Sequence, residues 1–137
     1  MPFKKTDPYA GFIAREITDP ETAETIKLYA DALDEMVNKG THISGWCSFN
    51  EDLQPPKYPV ITYFRQILEL LDATSVLIRA GAAPPCLIVL RSLIETVLGF
   101  EYLLKEDSDR RGRCYNFYEQ LRLLEHYKKH HPAHQHY

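Results

Sequence analysis

At 137 residues the chain is long enough for one domain with a sizeable core and too short for two. Hydrophobic residues make up 45% and charged ones 26%, an ordinary globular balance, and a formal charge of −3 excludes a global basic field that would draw nucleic acid or anionic lipid. The three cysteines, Cys47, Cys86 and Cys114, stand far apart with no zinc-like spacing, which predicts reduced thiols in a cytoplasm rather than a disulfide framework.

Residues 1–18 hold Pro2, Pro8 and Gly11 and read as an amino-terminal arm, with no apolar stretch of the kind a secretory signal needs. A first helix is predicted over 19–39. Asp19 suits its N-cap, Pro20 its first position and Glu21 its dipole, and Ile26, Tyr29, Ala30, Leu33, Met36 and Val37 form one stripe. Gly40 reads as the stop. Residues 40–58 are predicted to be a long loop, because Gly45, Asn50 and Pro55-Pro56 oppose regular structure, with Trp46 and Phe49 packing it down.

A second helix is predicted over 59–80, with Ile61, Phe64, Leu68, Leu71, Ser75 and Ile78 along one side. Gly81 and Pro84-Pro85 break it before a third over 86–105. Asp107 or Ser108 caps a fourth over 108–130, and residues 131–137 form a polar tail. Strand-like alternation and internal repeats are absent. The fold class is therefore all-α: one domain, an antiparallel bundle of about four helices with a long loop between the first and the second.

The third helix, from Pro85 to Leu104, is apolar almost all round, which predicts the central, buried position. Arg91, Glu95 and Glu101 exclude a membrane span, at about 2.5–3.5 kcal/mol for a charge near a bilayer centre. Arg91 and Glu95 then have two readings. One is a buried ion pair, or two pairs with Glu69, Asp72, Arg79, Arg111 or Tyr115 as partners. The other is a pocket where Arg91 holds an anion and Glu95 is an acid or base.

The run A-P-P-C-L-I-V-L-R-S-L-I-E-T-V-L-G-F-E-Y-L, followed by D-S-D-R-R-G-R-C-Y, resembles a family of bacterial helical proteins of unknown function, domain-of-unknown-function family 5677. The resemblance covers roughly residues 60–120. It carries a helix reading R-S-L-x-E onto Arg91, Ser92, Leu93 and Glu95, and downstream positions onto Arg110 or Arg111 and Tyr115. It implies a helical fold and residues of interest, with Arg111 and Tyr115 as candidate ligand-binding groups, but no reaction.

Other chemistries rest on the fourth helix. Small helical ribonucleases of the higher-eukaryote-and-prokaryote nucleotide-binding type resemble this outline, and their signature is an arginine, four to six residues, then a histidine. Arg122 and His126 have only three residues between them, yet share one helix face, and stand as the alternative catalytic pair. His126 and His130, four apart, are candidate metal ligands for an ion such as zinc, with Glu125, His131, His134 and His136 nearby. Phosphate-binding loops, dinucleotide fingerprints and nucleophile elbows are absent. The expectation is a cofactor-free cytoplasmic domain that oligomerises, as a homodimer, or binds a partner. The alternatives are a nucleic-acid-directed enzyme, or a His-rich metal-binding protein.

Overall fold

The computed structural model describes residues 17–50 and 57–130, with only the backbone of residues 48–50. Among these residues there are four helices: α1 (Pro20–Asn50), α2 (Tyr58–Arg79), α3 (Ala83–Leu104) and α4 (Ser108–His130). The predicted arm and tail lie outside the described residues, apart from Ile17 and Thr18.

Local chemistry sets the helix ends. Asp19 accepts the Thr22 amide at 2.8 Å and its carbonyl accepts the Ala23 amide, so α1 starts as its cap predicts. Gly81, at φ 65°, ends α2 in the left-handed conformation that glycine adopts freely. The Ala82 amide donates to the Leu77 carbonyl and the Gly81 amide to Ile78, completing a Schellman turn. Two boundaries need correction. Pro84 and Pro85 do not precede α3; they occupy its first turn, where an amide proton would have no partner. Gly40 does not stop α1, which continues to Asn50; residues 51–56, between α1 and α2, lie outside the described residues. Trp46 sits on this extension and is 63% exposed rather than packed down, while the side chain of Phe49 lies outside the described residues.

The reason α1 carries a glycine at 40 is packing. Gly40 is buried, and a Cβ there would run into the Leu68 side chain of α2. A shortened side chain at this point lets the two helices approach. Gly99 does the same between α3 and α2: a Cβ there would stand 2.5 Å from Cε1 of Tyr63.

The helices do not close into a ring. α2 packs against α1 on one side and α3 on the other, and α1 and α3 do not meet. α4 crosses onto α2 and α3. Thus α2 is the central helix, not α3 as its composition predicts. The groups sealed along the seams are small: Ala30, Cys86, Thr74, Ser75 and Thr96, with Pro59 and Leu103. Thr74 and Thr96 satisfy their hydroxyls on the carbonyls of Leu70 and Ser92 one turn back.

A polar clasp joins α1 to α2. The buried Ser75 hydroxyl donates to Asp34 at 2.5 Å, and Arg79 reaches Asp31 at 2.8 Å and Asp34 at 2.5 Å. The Ser75 hydroxyl first, and Arg79 second, hold the Asp34 carboxyl below the usual carboxylate range. A depressed folded-state pKa contributes stability above the ordinary value of about 3.9, and that contribution disappears as pH falls through the folded value. Acidification from pH 7 to below pH 4 should lower the melting temperature, and Asp34→Asn should show a smaller drop over that window. An identical drop in the variant would show that the clasp does not carry the effect.

Candidate functional site

The turn between α3 and α4 places two arginines against a tyrosine-lined cavity. Asp107, at φ 66°, accepts the Arg111 amide on its carbonyl at 3.1 Å, while its carboxylate pairs with Nε of Arg110. Arg110 and Arg111 are thereby fixed in the first turn of α4. Arg111, Cys114, Tyr115 and Tyr118 follow at three- and four-residue spacing, so they share one face.

Arg111 is half-buried and lies over the Tyr102 ring, 4.4 Å from its centroid, where the ring quadrupole favours a cation. Its Nη1 donates to the Tyr102 carbonyl at 2.6 Å, one of the carbonyls left over in the last turn of α3. Its Nε is buried without a hydrogen-bond partner. No carboxylate among the described residues pairs with this guanidinium.

Tyr63 enters from α2 across Gly99 and meets Tyr115 edge-on, with centroids 5.4 Å apart and planes at 70°. Burial first, and the Tyr63 hydroxyl second, push the Tyr115 phenol up to about 12. At neutral pH Tyr115 is a neutral donor, not a base or a nucleophile. Between these groups lies a cavity of about 270 Å³, bounded also by Leu103, Cys114 and Tyr118. No aspartate or glutamate lines it.

Arg111 and Tyr115 both line this cavity. Tyr63, Tyr102 and Gly99 were not anticipated. Their signal was indirect: a glycine amid large side chains on α3 marks where another ring approaches.

The other anticipated residues are dispersed. Arg91 and Glu95 are not sheltered: Nε of Arg91 meets Glu95 Oε1 at 3.0 Å, and their side chains are 82% and 64% exposed. This is an i,i+4 surface pair, and neither Arg79, which pairs with Asp31 and Asp34, nor Glu69, which pairs with Arg65, reaches it. Arg122 turns back to Glu119 at 3.0 Å rather than engaging His126. His126 stacks on His130 with centroids 4.3 Å apart. Among the described residues no three His, Cys, Asp or Glu side chains converge on a point where a metal could sit, and His131, His134 and His136 lie outside them.

What surrounds Arg91 and Glu95 is apolar. Leu87, Ile88, Ile94 and Leu98 lie on the same side of α3, turned away from α2, and are between 59% and 70% exposed. Beyond Glu119 every described residue of α4 is exposed, including Leu121, Leu123, Leu124 and Tyr127. No helix among the described residues is long and apolar enough to cross a membrane.

No curated protein and no solved structure matches the chain. A family does match from the start of α2 onward, over residues 57–137, so the pocket and the apolar side of α3 both fall inside it and all of α1 outside. On that match over more than half its length, the chain belongs to the Family of unknown function (DUF5677).

Proposed function

We propose that the chain is a self-associating helical domain whose homodimer is formed through the outward side of α3. The observation that carries this is the exposure of Leu87, Ile88, Ile94 and Leu98 together on one side of a helix. Apolar patches beyond a few hundred Å² are uncommon on soluble monomers and mark contact surfaces. The exposed second half of α4 adds Leu121, Leu124 and Tyr127 to the surface that an associated copy would cover.

The two charges select a second copy as the occupant. Arg91 and Glu95 sit side by side in the middle of the apolar residues. In an isologous contact, residue i meets j and j meets i. An antiparallel crossing of two α3 helices about an axis between residues 91 and 95 sets each arginine opposite the other copy's glutamate. The four charges then form a closed, neutral ring. An unrelated partner would need its own complementary pair.

Arg91→Glu should weaken self-association, since glutamates then face glutamates, and Glu95→Arg should weaken it likewise. Mixing the two variants should restore a dimer of one copy of each, detectable by native mass spectrometry. Each variant should remain folded, because an exposed i,i+4 pair contributes only about 0.3–0.5 kcal/mol. Wild-type protein that sediments as a monomer at high concentration removes the reading. Homodimers that persist undiminished in both variants remove the proposed crossing.

A further inference from the structure

We propose that the cavity between α2, α3 and α4 binds a small planar carboxylate, its anionic end on the free edge of Arg111 and its apolar body among the tyrosine rings. The inference is independent of self-association.

The starting point is an uncompensated cation. A guanidinium withdrawn from water normally has a carboxylate partner, because burying a charge is costly otherwise. Arg110 has Asp107. Arg111 has only the Tyr102 ring and one carbonyl, both on the same helix. With Nη1 occupied and Nε out of solvent, Nη2 is the free edge of the group, without a partner among the described residues. It can donate a charge-assisted hydrogen bond to one carboxylate oxygen.

The surroundings narrow the ligand. One free guanidinium matches one negative charge, so a monocarboxylate fits better than a divalent phosphate, which a neutralised Arg110 would not help to balance. Tyr115 is a neutral phenol and does not repel an anion. The walls are aromatic or aliphatic, from Tyr63, Tyr118 and Leu103, and favour a flat apolar body. Size sets the upper bound. A cavity of about 270 Å³ is small beside the roughly 300–1,000 Å³ of drug-sized sites, which favours a small ligand. A single aromatic ring bearing a carboxylate fills it.

The experiment is an amide NMR titration of the full chain with benzoate, benzamide and inorganic phosphate, each at constant ionic strength. Benzoate should shift the amides of Gly99, Arg111 and Tyr115 saturably, and benzamide should bind at least tenfold more weakly. Arg111→Gln should weaken benzoate at least tenfold. The proposal is overturned by benzamide binding as well as benzoate, by phosphate outcompeting benzoate at those amides, or by no saturable shift. The benzoate and benzamide comparison uses wild-type protein, so it decides even where Arg111→Gln loses the carbonyl cap on α3 and unfolds.

Discussion

If α3 forms the proposed homodimer contact, substituting lysine for both Ile94 and Leu98 should give a folded monomer. Both side chains are about 60% exposed, so folding buries little of either, and polar replacement there changes fold stability by no more than about 0.5 kcal/mol per site. Association is different. Full burial of an isoleucine or leucine is worth about 1.5–3 kcal/mol, and an isologous contact counts each residue twice, for a ceiling of about 6–12 kcal/mol. A third of that ceiling weakens the dimer roughly 30- to 700-fold, at about 1.4 kcal/mol per tenfold change. Four lysines brought together add repulsion. Sedimentation equilibrium gives the mass and circular dichroism the fold. A double variant with the wild-type mass distribution would place the contact elsewhere.

Gly99→Ala should be the most disruptive methyl group that can be added to α3. The new Cβ falls 2.5 Å from Cε1 and 3.0 Å from Cζ of Tyr63, and that ring also packs edge-on with Tyr115. Overpacking of this kind costs about 1–3 kcal/mol, which lowers the melting temperature on the order of 5–10 °C. Because the clash is with one ring, the loss should couple to it. In a Tyr63→Ala background the same substitution should cost less than about half as much, the non-additivity expected of touching residues. Equal losses in both backgrounds would mean that the seam yields elsewhere and that Tyr63 is not pinned as described. Tyr63 also forms a wall of the pocket, so Gly99→Ala should perturb the Tyr115 environment, visible in its ring resonances.

Helix identity was legible because it depends on near neighbours in the chain. Asp19-Pro20-Glu21 opens α1, and α4 begins at Ser108, where Asp107 or Ser108 offers a cap. Arg111 and Tyr115 came into view as a pair of ligand-binding groups only through the family resemblance, not through spacing. Depth was not legible. A helix apolar all round has the same sequence whether other helices of its own chain surround it or one side is left open to solvent, as on α3. Periodicity therefore ranked α3 as central, and Arg91 and Glu95 were read as sheltered on that ground. Gly40 shows the converse. Glycine costs a helix about 1 kcal/mol in isolation, which made it a plausible terminus, yet close approach to Leu68 makes it part of the α1 seam instead. Which meaning a glycine carries is decided by a residue 28 positions away.

That α1 touches α2 alone among the described helices has a kinetic corollary. Contacts made between consecutive segments keep contact order low, which favours fast folding, and they let one segment detach without dismantling the others. α1 should therefore open as a separate foldon while α2, α3 and the first half of α4 hold together. Hydrogen exchange under native conditions would then report two opening free energies, the lower for amides around Leu33 and the higher for those around Ile67 and Val97.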